Sequence, residues 1–350
     1  MNPAALRLST GRSIGAGHPT FVIAEIGQNH NGRLDWAEQL VDAAAWAGAD
    51  AVKTVKRYLP NELTLAARNL RYDSPHAFGR TYGEHREALE LNVAAHAAIA
   101  ARARSHGLHF IATVCDVVSA AELNEVGVDA FKIASRDLGN LPLVQFVTQL
   151  GRPIILSTGM STWTEIDAAV EIVAGSGLPW AVMQCTSLYP TPDGEAHLRA
   201  LPALADRYDA VVGFSDHTLG TVIAPAAVAL GAALVEKHLT LDRAAPGSDH
   251  ACSAEPEELR VLIENVRRVE TALGRADKPV PAAIEGVRRK LGRSLVTRVP
   301  LVAGTVVDES MLTLKSPGDG VAWIDRSRIV GRRLARNLDA DTIILPHDLL

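Results

Sequence analysis

Eight short apolar runs recur along the first two thirds of the chain, and each closes on polar side chains. They are FVIAE (21–25), DAVK (50–53), HFIAT (109–113), AFKIAS (130–135), PIILST (153–158), WAVMQCT (180–186), AVVGFS (210–215) and ALVEKH (233–238). Their length and β-branched content predict strands buried on both faces. Ala- and Leu-rich stretches of helical period separate them, among them LDWAEQLVDAAAWAG, LNVAAHAAIAARARSHG, TWTEIDAAVEIVAGSG and IAPAAVALG, several ending in Gly as helices do. Eight such units, completed by the helix PEELRVLIENVRRVETALG, give the count of a (β/α)8 TIM barrel. An open doubly wound sheet is the alternative, and it explains less well why polar residues stand at all eight strand ends.

At 350 residues the chain has room for one large domain and a smaller one. After Gly274 the composition changes. The expected organisation is a catalytic barrel over 1–275, a Pro- and charge-containing linker over 276–290 and a small β-rich module over 291–350. That module echoes itself: AGTVVDESML (303–312) and ADTIILPHDL (340–349) share their pattern at an offset of 37, which suggests pseudo-symmetric halves. A formal charge of −5 and a pI near 6.2 argue against nucleic acid as a partner. Cys115, Cys185 and Cys252 are odd in number and far apart, so they read as reduced thiols. The amino-terminal stretch MNPAALRLSTGRSIGAG lacks a signal-peptide core, and no apolar stretch nears the roughly 20 residues that span a bilayer. A cytoplasmic location without membrane partners is expected.

If the strands form a barrel, their carboxyl ends converge on one pocket. Those ends carry Glu25, Lys53, Thr113, Lys132 with Ser135, Ser157 with Thr158, Thr186 with Ser187, Ser215 with Asp216 and His217, and Glu236 with His238. A lysine in a buried strand needs an anionic partner. Either Glu25 or Glu236 supplies it, or Lys53 and Lys132 with the ring of hydroxyls hold a small, multiply charged anion such as a phosphate-bearing carboxylate. His217 and His238 are either core histidines bonded to carbonyls or half of a divalent-metal site completed by substrate and water. Without thiolates, such a pair favours Mn2+ or Mg2+ over structural zinc. His96, His106, His109, His197 and His347 are expected on helix surfaces or in loops. Between Lys53 and Leu91 lies an unusually long connection in which six basic residues face three acids over 56–86. It is a solvated surface loop, or a lid whose Lys56, Arg57, Arg71, Arg80 or His85 meets an anionic or polyhydroxylated substrate.

AEIGQNHNG (24–32), GADAVK (48–53), FKIAS (131–135), GRPIILSTGM (151–160), QCTSLYPTP (184–192), GFSDHTLG (213–220) and GSDHACSAEPEEL (247–259) together resemble the sialic acid synthases, which make nine-carbon 2-keto acids. TYGEHREALEL (81–91) is closer to the branch that includes sugar-phosphate-using members, and the tail resembles the family's antifreeze-like (SAF) domain. The resemblance implies that phosphoenolpyruvate condenses with the open-chain aldehyde of an N-acylated aminohexose, or its 6-phosphate, releasing phosphate by C–O cleavage. It assigns the phosphoenolpyruvate carboxylate to Lys53 and Thr113, and its phosphate to Lys132, Ser135, Ser157, Ser187 and Ser215. It places the divalent metal (Mn2+ or Mg2+) on His217 and His238. The acceptor falls to Glu25, Asp249 and Tyr189, with Asp137 among the substrate contacts.

Two positions depart from the family pattern. Val55 stands where Gln is common, and Ser316, in KSPGDG, stands where bacterial members place an arginine that reaches across a domain-swapped homodimer. With Arg57 and Arg80, these positions are expected to set acceptor specificity. The alternatives are a phosphoenolpyruvate-dependent aldol-type synthase for a different aldehyde in specialised metabolism, or a non-catalytic sugar-binding derivative.

Overall fold

The computed structural model describes residues 5–350; residues 1–4, the start of the stretch read above for a leader, lie outside the described residues. The chain divides into two units, one running to Gly274 and one starting at Arg275. The first opens with a hairpin of β1 (Leu6–Arg7) and β2 (Ser13–Ile14). Eight parallel strands follow: β3 (Phe21–Glu25), β4 (Ala51–Lys56), β5 (His109–Val114), β6 (Ala130–Ile133), β7 (Ile154–Ser157), β8 (Trp180–Cys185), β9 (Val211–Asp216) and β10 (Leu234–His238). Neighbours in sequence pair, and β10 pairs back onto β3, so the sheet closes. This is the TIM barrel, and closure rules out the doubly wound sheet. Helices on its outer face include Leu34–Ala47, Val93–Ser105, Trp163–Gly175 and Pro256–Leu273.

Strand alternation sorts the side chains into two environments. Val22, Val52, Phe110, Phe131, Ile154, Leu156 and Val235 point outward into the helices. Phe21, Ile23, Ala51, Ile111, Ala130, Ile155, Met183 and Leu234 point inward and fill the amino-terminal half of the barrel, where Leu6, Leu8 and Ile14 of the hairpin join their cluster. This apolar plug leaves the interior polar only toward the carboxyl ends of the strands.

The long connection after β4 is ordered rather than an open loop. It folds into the short helices Leu59–Glu62, Leu65–Arg68 and Tyr82–Ala88, the last begun by a reciprocal capping box between Thr81 and Glu84. Segments this short show too few turns for a period to be read. The T-x-x-E spacing at 81–84 was the local sign.

In the second unit, β11 (Ser294–Thr297) and β12 (Leu312–Lys315) pair antiparallel around a core of Leu295, Leu301, Val307, Leu312, Ile329, Leu334, Leu338 and Ile344. The sequence echo is realised in space. Core residues Val307 and Ile344 correspond, as do the short 3-10 turns Glu309–Met311 and Pro346–Asp348. Gly304 and Asp341, the equivalent turn positions, both have positive φ, at 84° and 65°. The linker region carries the helix Glu285–Leu291 and falls within this second unit.

Candidate active site

Above the apolar plug, inward positions of successive strands form a polar layer of Glu25, Lys53, Thr113, Lys132, Ser157, Cys185, Ser215 and Glu236. All of them line a cavity of ≈ 380 Å³ that opens at the carboxyl ends of the strands. Lys53 Nζ donates to Glu25 Oε2 and, at 2.8 Å, to Thr113 Oγ1. Lys132 Nζ donates to Glu236 Oε2 at 2.6 Å, and Ser215 Oγ donates to Glu236 Oε1 at 2.9 Å. The second Glu236 oxygen also lies 3.7 Å from Lys53 Nζ. Burial alone would neutralise Glu236; the two lysines outweigh it and hold the carboxyl ionised, well below the usual range. Burial brings Lys53 down to about 8 despite the attraction of Glu236. Both lysines therefore already have carboxylate partners, as one of the two sequence readings held.

The layer nevertheless keeps an unsatisfied donor. Ser157 Oγ is buried without a partner. Ser135 Oγ accepts from Gly159 N at 3.0 Å and faces the Cys185 thiol. Gly159 passes so close to Ser187 that a β-carbon there would lie 2.8 Å from Ser187 Oγ, so only glycine lets this wall of the cradle close. Serine hydroxyls beside two ammonium groups suit a phosphate-sized anion.

His217 and His238 stand one step above this layer, with ring centroids 5.3 Å apart. His217 Nδ1 donates to the Thr186 carbonyl at 2.9 Å, which turns Nε2 away as the free nitrogen. Burial opposes a charge on His217, but Cys185 and the Thr186 carbonyl outweigh it and hold its pKa above the ordinary value. Burial brings His238 down to about 3 against the pull of Asp249, so its imidazole is neutral, and its buried Nδ1 has no hydrogen-bond partner. Asp249 Oδ2 lies 3.9 Å from that nitrogen and accepts from Gln28 Nε2 at 3.2 Å. Tyr189 stacks on His217 at 4.1 Å and meets His238 edge-on at 5.8 Å. An oriented donor, His217 Nε2, beside the orphaned ring nitrogen of His238 fits a divalent ion whose other positions go to substrate or water. Among the described residues no cluster of three or more His, Cys, Asp or Glu side chains forms a closed metal cage.

Residues 40–278 match the NeuB family and residues 292–350 match the SAF domain. The chain belongs to the NeuB family. It is 36% identical over 345 residues to the N-acetylneuraminate-9-phosphate synthase of Mus musculus, spanning 98% of this chain and 96% of that one. To the N,N'-diacetyllegionaminic acid synthase of Legionella pneumophila it is 38% identical over 339 residues, 95% of each chain. Among solved structures, the N-acetylneuraminic acid synthetase of Leptospira borgpetersenii superposes with a TM-score of 0.71 at 32% identity, covering 81% of this chain and 96% of that one.

This NeuB-family cavity gathers most of the residues singled out in the sequence. Glu25, Lys53, Val55, Arg57, Thr113, Lys132, Ser135, Ser157, Ser187, Tyr189, Ser215, His217, His238 and Asp249 all line it. Others lie elsewhere. Arg80 is exposed outside the cavity, where its backbone N donates to Glu84. Arg71 pairs with Asp73 at the surface, and Lys56 turns to Glu122. Asp137 stands behind the wall against Arg136. Ser316 belongs to the second unit, where it is exposed and its Oγ donates to the Leu291 carbonyl.

Three residues expected to converge on the pocket point away from it. Asp216 is an outward position of β9 and pairs with Lys237 at 2.9 Å; Thr158 bonds the Met183 carbonyl, and Thr186 the Glu195 carbonyl. His96, expected at a surface, is fully buried, with Nδ1 3.2 Å from Thr54 Oγ1.

The cavity also holds residues that strand ends alone did not reveal: Gln28, Tyr72, Tyr82, Arg86, Cys115, Arg136 and Met160. Tyr82, His85 and Arg86 stand at i, i+3 and i+4 of one short helix, a spacing that puts them on one face and was readable beforehand.

Proposed function

We propose that this chain is a nonulosonic acid synthase that joins phosphoenolpyruvate to the open-chain aldehyde of an aldose. The observation that carries the reading is the stacking of two environments in one cavity. Below lies a cradle of Lys53, Lys132 and serine hydroxyls, Ser157 Oγ among them without a partner, for a phosphorylated carboxylate; above it stands the imidazole pair of His217 and His238. In this reading C3 of phosphoenolpyruvate bonds to the aldehyde carbon, water adds at C2, and the C2–O bond breaks to release phosphate. The product keeps the carboxylate and gains a 2-keto carbon.

Lys53 and Thr113 take the carboxylate, while Lys132 and the serines take the phosphate as their hydroxyls turn inward. His217 and His238 would hold a divalent ion, which would supply Lewis-acid polarisation of the acceptor oxygen. Glu25 and Asp249 flank the space between the two layers, where a carboxylate can orient or deprotonate the attacking water. Tyr189 covers the histidines from above and contacts the sugar. The second unit, matched to the SAF domain, completes the partner's site in a domain-swapped homodimer.

Phosphate release from phosphoenolpyruvate, followed against a panel of aldoses with added Mn2+ or Mg2+, tests the reaction. Stoichiometric phosphate and 2-keto acid with at least one aldose support it; silence across the panel with the folded protein refutes it. Sedimentation of the full chain tests the dimer, and a monomer would refute that part.

A further inference from the structure

The turn that follows β3 puts one residue in a conformation its side chain does not favour. Gln28 has φ 72°, while Asn31 and Gly32 in the same turn have φ 49° and 70°. Glycine is at home in the left-handed region and asparagine tolerates it; glutamine is strained there. The turn is closed by the Asn31 N–H, which donates to the Gln28 carbonyl at 2.8 Å, a bond that any residue at 28 would supply. The backbone therefore gives no reason for glutamine, and the reason has to lie in the side chain.

The Gln28 carboxamide stands in the cavity wall between two opposite charges that also line it, Asp249 and Arg86. Its Nε2 donates to Asp249 Oδ2 at 3.2 Å, and its Oε1 accepts from Arg86 Nη1 at 3.3 Å. Chemistry fixes this orientation. A guanidinium only donates and a carboxylate only accepts, so turning the amide over would lose both bonds. Ser248 Oγ donates to the other Asp249 oxygen at 2.7 Å.

The next residue holds the same loop from its backbone side. Asn29 Nδ2 donates to Ser253 Oγ at 2.8 Å, and Ser253 Oγ donates to the Asp249 carbonyl at 2.5 Å. Asp249 is 8% exposed, and its Oδ2 lies 3.9 Å from His238 Nδ1. A carboxylate and a guanidinium withdrawn from water attract strongly and pair directly unless something stands between them. The neutral amide fills that place and satisfies an Asp249 oxygen without neutralising it.

We infer that Gln28 is a positioning residue, whose carboxamide keeps Asp249 apart from Arg86 and aims that carboxylate at the space beside His238. The inference rests on the proposed condensation and adds a residue that acts through Asp249, with no bond of its own to the reacting atoms. The left-handed backbone delivers the amide to this place, which accounts for a strained glutamine where glycine would be at ease.

The test compares three variants of the full-length protein, assayed with phosphoenolpyruvate, Mn2+ and the best aldose acceptor. Gln28→Gly suits the backbone and removes the amide. Gln28→Asn tolerates the backbone but withdraws the amide by one methylene. Gln28→Glu keeps the length and turns a second carboxylate on Asp249. Gln28→Gly should match or exceed the wild-type melting temperature while kcat for phosphate release falls by about 10- to 100-fold, as misplaced reacting groups cost. Gln28→Asn should lose a similar factor and Gln28→Glu the most. The KM for phosphoenolpyruvate should stay within about twofold, because its cradle is untouched.

Wild-type kcat in Gln28→Gly overturns the inference. So does a rate that falls only in step with the melting temperature across the variants, which is what a merely structural role predicts. If Gln28→Gly does not fold, Gln28→Asn is read by the same two criteria. If no aldose releases phosphate, the condensation reading fails on its own, and crystal structures decide this one. An Asp249 carboxylate displaced toward Arg86 in Gln28→Gly by about 0.5 Å or more, beyond the tolerance of a working site, supports the inference; one that stays in place overturns it.

Discussion

Glu236 bridges the two lysines of the cradle, 2.6 Å from Lys132 and 3.7 Å from Lys53. With Glu25 paired to Lys53, the floor layer holds two positive and two negative charges. Ammonium groups that are already balanced do not by themselves neutralise phosphoenolpyruvate, which carries close to three negative charges. In the proposed reading the additional positive charge would come from a divalent ion held by His217 and His238. Chelation should therefore weaken phosphoenolpyruvate binding at least tenfold, as measured by calorimetry on the protein without acceptor. Glu236→Gln, which removes one competing carboxylate, should restore part of that binding to the chelated protein. Equal affinity with and without metal would show that the floor layer suffices.

Asp216 and Lys237 form a buried pair on the outer face of the barrel, each side chain about 1% exposed. Lys237 also donates to the Thr218 carbonyl. Removing one partner strands the other charge away from water, a change that costs about 3–5 kcal/mol. Asp216→Ala should lower the unfolding free energy by that amount in urea titrations while leaving phosphoenolpyruvate affinity within about twofold. Loss of affinity without loss of stability would return Asp216 to the cavity side.

That pair marks where sequence reading stopped. The eight strands, their order and the polar carboxyl edge were legible because each strand is a continuous apolar run bounded by turns. Within such a run both faces are buried, so hydrophobicity does not say which polar residue points inward. Alternation within β9 puts Ser215 and His217 on one face and Asp216 on the other, but it takes the barrel register, which pairs Ser215 with Glu236, to say which face is inward. The shared face of Tyr82 and Arg86 was readable from their spacing, but that this face meets the cavity depends on tertiary packing of a short helix in a long connection. Arg80 and Ser316 were named from charge and resemblance, and neither signal says where a side chain ends up.

His30 and His96 make stability depend on pH below neutrality. Burial, helped by Arg57, lowers His30 to about 4; burial, helped by His30 and Lys56, lowers His96 to about 3. In the unfolded chain both titrate near 6.5, so between pH 6.5 and about 4 the unfolded state binds protons that the folded state refuses. Stability from these groups is complete above 6.5 and is lost as pH falls through that window. His96→Gln, which keeps a polar contact to Thr54, should flatten the pH dependence of the unfolding free energy between pH 4.5 and 7 by about 2–3 kcal/mol. An unchanged slope would show that His96 protonates freely in the native protein.

Gly27 sets the position of Glu25 with almost no clearance. Its N–H donates to Glu25 Oε1 at 2.5 Å, and a β-carbon at this position would lie 2.6 Å from that oxygen and 2.7 Å from Val55 Cγ2. Gly27 is not in the left-handed region, so its backbone conformation suits alanine; the clash is chiefly with the Glu25 and Val55 side chains, with Val55 N at 3.0 Å as a lesser contact. Gly27→Ala should push the Glu25 carboxylate off Lys53 by a fraction of an ångström, and displacements of about 1 Å at reacting groups cost on the order of 100-fold in rate. We expect kcat for phosphate release to fall by 10- to 100-fold, in line with that principle, with the melting temperature nearly kept. Gly139→Ala, where a β-carbon meets nothing within 4 Å, is the control and should match the wild type. Adding Val55→Ala to Gly27→Ala opens one side of the squeeze and should return part of the lost rate. If Gly27→Ala is as active as Gly139→Ala, the placement of Glu25 does not govern the reaction.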